Sequence, residues 1–232
     1  MMSFLLVSYQ GYSQKGYGFG INGSINTVWI TNQNMYGDAE INHAVKVAPE
    51  FNLTGGYNFI DNLGLWIDLG YAKLGQNYSG TQGTSNTVRD INLNYFNIPI
   101  LVKVVAGGES KFHLLIGPKF AFLMSANQTY TRDGAPYTDY IYNLSGVKFN
   151  KGATDITDRY VGSDIFLMMD LGADIYVSEN LYLNVGLTLN YGLKVIDAPD
   201  YRIDNVHGTY DNNHNAVIGL NIGLNYMFKD KK

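Results

Sequence analysis

Apolar or aromatic residues alternate with polar or small residues along most of the chain, and this pattern recurs eight times. A period of two places successive side chains on opposite faces of a β-strand. In the last segment, every second residue from Ala216 to Phe228 is apolar or aromatic. The alternation therefore predicts eight strands, at 17–29, 45–59, 63–71, 91–104, 112–124, 165–175, 181–191 and 216–228.

Short and long connections alternate between the predicted strands. The tight turns are 60–63, 106–111 and 177–180, and the long polar segments are 31–44, 74–89, 126–163 and 194–214. In the fourth strand, the alternation changes phase near Tyr95 and Phe96, which predicts a β-bulge. All short turns then lie at one end and all long loops at the other, as in bacterial outer-membrane barrels with periplasmic turns and extracellular loops.

The polarity of the two faces indicates the surrounding medium. The polar face consists mainly of Gly, Asn, Thr and Ser, whereas a water-facing surface carries about a quarter or more of charged residues. We therefore expect the polar face to line the interior and the apolar face to contact lipid. Aromatics near strand ends fit interfacial girdles: Tyr17, Phe19, Trp29, Tyr57, Phe59, Tyr71, Phe112, Tyr191, Tyr226 and Phe228. The predicted fold is all-β, a closed eight-stranded antiparallel transmembrane up-and-down β-barrel.

Composition supports this class of protein. The 232 residues include 26 Gly and 19 Tyr but only 5 Pro, and charged residues make up 16%. No cysteine is present, which excludes disulfides and thiolate metal sites. The net charge of −4 provides no basic surface for nucleic acid. No cofactor or metal is predicted, and the expected partners are outer-membrane lipid and outer-membrane or periplasmic proteins.

The first fourteen residues, "MMSFLLVSYQGYSQ", fall outside the alternating pattern. Their short apolar patch at 4–7, followed by small polar residues, predicts a truncated signal peptide at 1–14, although the basic n-region is missing. An ordinary disordered N-terminus is the alternative. Residues 15–232 are expected to form a single barrel domain, integral to the outer membrane, with both termini in the periplasm.

Several charged residues lie on the polar face of the predicted strands. They are Glu50, Asp68, Lys103, His113, Lys119, Asp170 and Asp174. An eight-stranded barrel is just wide enough for side chains to fill it, and an unpaired buried charge is costly. We therefore expect a paired, hydrogen-bonded structural plug, with Lys103 and His113 as neighbours across one hairpin. A proton or ion path is the alternative.

Catalytic residues are not evident. His43, His207 and His214 lie in loops or at strand mouths, and no Ser/His/Asp set is grouped at one rim. The 194–214 loop, with two of these histidines and two aspartates, could contact a metal, but a solvated polar loop fits it better. The sequence predicts a protein that is not an enzyme.

The 126–163 segment is rich in tyrosine, and rigid amphipathic rings suit protein recognition. Candidate recognition residues are Tyr130, Tyr137, Tyr140 and Tyr142. A lid folded over the barrel mouth is an equally good interpretation. In the final strand, the alternating Leu224, Tyr226 and Phe228 resemble a C-terminal signal for outer-membrane assembly. The aromatic is not terminal, because "KDKK" follows it, and we expect these residues to form a short periplasmic tail.

The stretches "NLNYFNIPILVKVV" and "KFHLLIGPKFAFLMSA" carry a family resemblance. They resemble the Bacteroidota outer-membrane β-barrel family that includes PorT-like proteins. The matching positions are Tyr95, Phe96, Ile98, Pro99, Ile100, Leu101, Lys103, Gly117, Pro118 and Lys119. The chain departs at Asn97, where Glu is common, and at Thr188, where Arg is frequent, so two interior charges of the family pattern are missing.

The resemblance implies an eight-stranded barrel, and some members of that family take part in type IX secretion or gliding. Together with the residues, it favours a non-enzymatic structural or interaction component of the outer membrane. A soluble or periplasmic ligand-binding barrel is the alternative from a second class. A small outer-membrane enzyme using His113, His207 or His214 is the third.

Overall fold

Eight long antiparallel strands make up the fold in the computed structural model. The structure describes residues 15–32, 36, 41–108, 110–205 and 207–229. The long strands are β1 (Gly16–Ile30), β3 (Lys46–Ile60), β4 (Leu63–Gln82), β5 (Ser85–Gly107), β6 (Ser110–Arg132), β10 (Ser163–Tyr176), β11 (Leu181–Gly192) and β12 (Asn215–Lys229). The short strands are β2 (Asn42–Ala44), β7 (Ala135–Pro136), β8 (Tyr140–Tyr142) and β9 (Lys148–Asn150), and two 3-10 helices span Thr157–Arg159 and Pro199–Tyr201. All eight predicted strands are present. In the described part of the chain, no helix is long and apolar enough to cross a membrane.

The long strands pair into a closed up-and-down ring. Each is hydrogen-bonded to its neighbours in chain order, and β1 also pairs with β12, which joins the first strand to the last. Following the register from Asn26 through all eight strands leads back to Gly16, ten positions lower on β1. With a rise of ~3.3 Å per residue and a strand spacing of ~4.7 Å, this stagger corresponds to a tilt of about 40°, which is typical of closed barrels.

The outside of the ring is an apolar wall. Phe112 is 75% exposed and Leu220 is 69% exposed, and the other outward residues of the ring are mostly aliphatic or aromatic. Such a continuous exposed apolar surface is stable only against lipid or another apolar partner. Tyrosine, tryptophan and phenylalanine lie near both edges of this wall, so the predicted girdles occupy the expected positions.

Short connections lie at one end of the ring, called here the turn end. The opposite end, called the loop end, contains the connections 133–162 and 193–214. The prediction of a long loop at 74–89 is wrong. Instead, β4 and β5 continue through this segment and are joined by Gly83 and Thr84 alone. Residues 73–82, 85–94 and 125–132 form a three-stranded continuation of the wall, called the strand extension.

A bulge lies at the predicted level but on a different strand. The register between β5 and β6 shifts between Asn94 and Tyr95, where Met124 of β6 is the extra residue. Strand β5 keeps its phase throughout, so Leu93, Tyr95 and Asn97 all point inward. The apparent phase change in the sequence has another cause. In the part of β5 nearer the turn end, apolar residues face lipid. In the strand extension, apolar residues face the interior instead.

Two apolar clusters lie at opposite ends of the interior. A small one at the turn end consists of Trp66, Tyr182 and Met227. A larger one fills the loop end, where Ile156 and Ile196 of the long loops pack among residues of the ring with no exposed surface. The polar part of the interior lies between these two clusters.

Candidate functional site

The lower part of the polar interior is organised around Asp174. Lys103 donates a hydrogen bond of 2.6 Å to Asp174 Oδ2 and one of 3.1 Å to the hydroxyl of Tyr182. Its ammonium lies 4.9 Å from the Trp66 ring and 4.7 Å from the Tyr182 ring, which adds cation–π attraction. Lys103 and Asp174 are both fully buried, so this is an ion pair in a low-dielectric setting.

His113 lies between two carboxylates. Its Nδ1 is 2.9 Å from Asp174 Oδ1, and its Nε2 is 2.8 Å from Asp170 Oδ1. Both ring nitrogens therefore face acceptors, an arrangement satisfied by the imidazolium form, in which both nitrogens donate. The prediction that Lys103 and His113 are direct cross-strand neighbours is wrong. His113 pairs with Val105, and the two side chains are instead linked through Asp174.

A second ion pair lies nearer the loop end. Lys119 donates to both carboxylate oxygens of Glu50, at 2.7 and 2.8 Å. Both side chains are almost completely buried. The register places Asn26, Asn97 and Asn190 at about the same level, and amide atoms of all three have no hydrogen-bond partner among the described residues.

Asp68 lies between the two ion-paired groups. It is buried and is hydrogen-bonded to Thr54 and Asn22, both neutral donors. Asp68 and Asp170 line a cavity of about 40 Å³ in the middle of the ring. The structure thus places all seven predicted interior residues in the lumen and brings six of them into ion pairs.

The 126–163 segment divides into an inner and an outer part. In the inner part, Ile156 donates a backbone hydrogen bond to Ala126 (3.0 Å) and Gln128 donates one to Thr154 (2.9 Å), which fixes the loop across the mouth of the ring. Tyr130 belongs to β6 and is buried, with its ring stacked 4.3 Å from that of Tyr137. Tyr130 therefore does not contribute an exposed recognition surface.

The outer part of this segment is the β8–β9 hairpin (Tyr140–Asn150). Its exposed large side chains are Tyr140, Tyr142, Leu144 and Val147. The hairpin is anchored at its turn, because the Leu144 amide donates to the Asp200 carbonyl (2.8 Å) and Ser145 Oγ donates to the Asp200 carboxylate (2.8 Å). Lid and exposed surface are therefore both present, in different parts of one loop.

A cation–aromatic cluster beneath the hairpin was not found from the sequence. Arg159 donates to the Tyr36 hydroxyl at 2.8 Å and to the Asn150 carbonyl at 2.7 Å, and its guanidinium lies 4.9 Å from the Phe149 ring. The Arg89 guanidinium also lies near Tyr36, 5.3 Å from its ring. These residues come from three separate parts of the chain, around 36, 89 and 149–159, and have no shared motif.

The Asp197 carboxylate holds the 193–214 loop together internally. It accepts hydrogen bonds from Tyr210 and from Asn213, the latter at 2.6 Å. Burial raises the pKa of Asp197 above its usual range, whereas these hydrogen bonds oppose the shift. Burial also raises the pKa of Tyr201 to about 12.

The histidines do not form one catalytic group. His113 lies near the turn end, whereas His214 lies at the loop end with its Nδ1 3.1 Å from the Gly192 carbonyl. His43 and His207 are exposed. Among the residues described, no three His, Asp or Glu side chains are grouped so that they could hold a metal ion.

The C-terminal residues proposed as an assembly signal lie on the lipid-facing side of β12. Leu224, Tyr226 and Phe228 are all exposed, and the rings of the last two are 4.9 Å apart. Residues 230–232 of the tail and the predicted signal peptide at 1–14 lie outside the described residues.

A family model described as an outer membrane protein beta-barrel domain matches residues 9–198. Among solved structures, the chain is similar to the outer membrane protein OprG from Pseudomonas aeruginosa, with 12% identity, a TM-score of 0.51, and coverage of 95% of this chain and 100% of that one. It is also similar to Neisserial surface protein A, with 13% identity, a TM-score of 0.45, and coverage of 92% and 98%. A further similar structure is Ail, the attachment invasion locus protein of Yersinia pestis, with 12% identity, a TM-score of 0.41, and coverage of 91% and 99%. No curated protein matches the chain.

Proposed function

The chain belongs to the family of outer membrane protein β-barrel domains, and from this premise we propose a non-enzymatic, non-conducting protein that binds a partner at the loop end. The chain is an integral outer membrane protein, which disfavours the soluble ligand-binding alternative. The observation that carries the proposal is the exposed aromatic and aliphatic surface of the β8–β9 hairpin.

The hairpin has the physical properties of a recognition surface. Tyr142 is 63% exposed and Leu144 is 64% exposed, although neither belongs to the lipid-facing wall. Tyrosine supplies a large contact area at low entropic cost, and the anchored turn limits the ordering required on binding. Clustered exposed apolar residues on a rigid scaffold are typical of a contact site for another protein.

The packing of the described residues inside the ring speaks against a pore through the lumen. Apolar clusters lie at both ends of the polar interior, and its charged groups are mostly engaged in ion pairs. Eight-stranded barrels have interiors that side chains can fill. This supports a role exerted through the surface of the protein rather than through transport.

The same proposal includes an orientation. The loop end is extracellular and both termini are periplasmic, because short turns face the periplasm in bacterial outer-membrane barrels. Residues 1–14 act as the export signal. Outward polar residues of the strand extension, such as Asn92 and Asn127, support a position in water beyond the lipid.

A more specific form makes the protein a subunit of a larger outer-membrane complex, such as a type IX secretion or gliding assembly. The support for this form is the likeness of the β5–β6 hairpin to the PorT-like pattern. The interior ion pairs then act as a structural plug that keeps the barrel rigid while the surface binds.

Site-specific photo-crosslinking in cells tests the proposal. A photoreactive residue at Tyr142 is expected to give a discrete crosslinked product, and the same residue at Asn127, on the outer face of the strand extension, serves as the matched control. If Tyr142 gives no product in cells where the protein is folded and surface-exposed, the hairpin is not the contact site. Loss of a lipid- or peptide-directed activity on substitution of His113 or His214 would instead support an enzyme.

A further inference from the structure

The outer face of the strand extension becomes polar directly beyond the lipid-facing wall. Tyr71 on β4 and Phe96 on β5 are exposed at the edge of the wall, and Lys73 and Asn94 are the next outward residues on the same strands. The register pairs Lys73 with Asn94 and Asn94 with Ser125 of β6. Cross-strand neighbours on one face have Cβ atoms about 5 Å apart. Lys73, Asn94 and Ser125 therefore form one polar row, called here the boundary row.

Hydrogen bonds orient the side chains of this surface. The Tyr71 hydroxyl donates to Asn94 Oδ1 (2.6 Å), and Asn94 Nδ2 donates to Ser125 Oγ (3.0 Å). Because the Ser125 oxygen already accepts a hydrogen bond, its hydroxyl hydrogen is available to a ligand. Farther from the wall, Asn92 Oδ1 accepts from Lys46 Nζ (3.0 Å), which leaves the Asn92 amide nitrogen as a second donor.

Lys73 supplies the positive charge of the boundary row. It is partly buried, and among the described residues its ammonium group has no ion pair or hydrogen bond. Asp90, on the same outer face, is ion-paired with Lys46. Asp155, opposite Asn127 at the far side of the face, accepts hydrogen bonds within its own loop. The cation that lies nearest the lipid is thus the one without a counter-ion.

The spacing of the donors indicates the size of a ligand. Asn94 and Asn92 are two residues apart on one face of β5, which corresponds to about 7 Å. A ligand that contacts both Lys73 and Asn92 is therefore larger than a single phosphate group. Gly75 lies opposite Asn92 and has no side chain that could cover its amide.

The chemistry and the position of this surface indicate the class of ligand. An ammonium group binds phosphate through charge-assisted hydrogen bonds, and amide and hydroxyl groups match the hydroxyls of a sugar. The boundary row is continuous with the lipid-facing wall, so a ligand held there by its headgroup can lay its acyl chains along Tyr71 and Phe96. Charge complementarity and continuity with the wall both favour a membrane lipid.

We infer that the outer face of the strand extension binds the headgroup of a phosphorylated glycolipid. The phosphate lies at Lys73, the sugar contacts Ser125 and Asn92, and the acyl chains lie along the wall. The inference rests on the proposed function only for its orientation, in which this lipid occupies the leaflet at the loop end. It does not involve the β8–β9 hairpin.

Lipid binding by the full-length protein tests this inference. The protein is held in micelles of an uncharged detergent, lipid A or its fully dephosphorylated form is added, and the bound lipid is measured by native mass spectrometry. We expect one bound lipid A per protein and binding of the dephosphorylated form that is weaker by about fivefold or more, as for loss of one lysine–anion contact at a lipid surface. Equal affinity for the two lipids would overturn the inference.

Variants assign the binding to the boundary row. Lys73→Gln should weaken the binding of lipid A by about fivefold or more and leave the binding of the dephosphorylated form unchanged. Asn92→Ala should weaken the binding of both forms, because it removes a sugar contact. Lys148→Gln, at an exposed position of β9, is the matched control and should bind as the wild type does. Unchanged affinity of Lys73→Gln for lipid A would place the lipid elsewhere and overturn the assignment.

Competition distinguishes the source of the phosphate. Displacement of lipid A by an equal concentration of phosphatidic acid would overturn the sugar contact, and displacement by inorganic phosphate would overturn the lipid as the ligand. The comparison of lipids needs no variant, so it stands even if a substitution prevents folding. Binding in detergent requires neither the orientation nor a protein partner, so failure of the Tyr142 crosslink would refute the proposed function and leave this inference standing.

Discussion

Removing the ammonium group of Lys103 should destabilise the barrel strongly. Lys103→Met keeps the length of the side chain but leaves the buried Asp174 carboxylate without its ammonium partner, while His113 and Asn184 remain hydrogen-bonded to it. Breaking a buried ion pair on one side costs about 3–5 kcal/mol. Because one charged partner remains, we expect a loss near the lower limit, about 3 kcal/mol, in the free energy of unfolding.

Urea unfolding of the protein in lipid vesicles, followed by tryptophan fluorescence, measures this free energy. The double variant Lys103→Met/Asp174→Asn should recover about half of the loss, since it no longer leaves a buried carboxylate without its ammonium partner. Lys148→Met, at an exposed position of β9, is the matched control and should change stability by less than about 1 kcal/mol. A loss below about 1 kcal/mol for Lys103→Met, or a double variant less stable than the single one, would refute the reasoning.

Three further outcomes follow from the packing and the charges. Gly56→Ala should lower the free energy of unfolding by about 1–3 kcal/mol, because the added Cβ would lie 2.6 Å from Cγ of Trp66. Gly162→Ala, whose added Cβ would meet no atom within 4 Å, should change this free energy little in the same urea titration. Asp197 has a raised folded-state pKa, so its contribution to stability is complete below the unfolded pKa of about 3.9 and is lost as pH rises through the folded value. Limited proteolysis of the loop end should therefore accelerate between acidic and neutral pH in the wild type, and an unchanged pH dependence in Asp197→Asn would contradict this. Deletion of 225–232 should abolish membrane assembly in cell fractionation, whereas deletion of "KDKK" alone should be tolerated; the reverse result would exclude a C-terminal signal.

The membrane-spanning part of the fold could be predicted because lipid contact imposes a strict pattern. Residues such as Ile21 and Leu53 face lipid on strands whose other face is polar, so a period of two is visible in the sequence. The strand extension was missed because this pattern inverts beyond the lipid. There, Leu74 and Ile91 point inward while polar residues face outward, which in sequence resembles a loop or a change of phase.

The interior charges could be predicted individually, but not their partners. His113 is on β6 and its two carboxylates are on β10, across a pairing whose register depends on closure of the whole ring. The Arg159 cluster depends on how the long loops fold over the ring. Neither relation is encoded in local periodicity, and both require tertiary structure.

Conductance across a planar lipid bilayer tests the central claim most directly, because the account requires a lumen filled by side chains. The purified protein, inserted and shown to be folded, should give no stable ionic current steps. Reproducible single-channel openings from the folded protein would show a continuous aqueous path through the ring and would contradict the account.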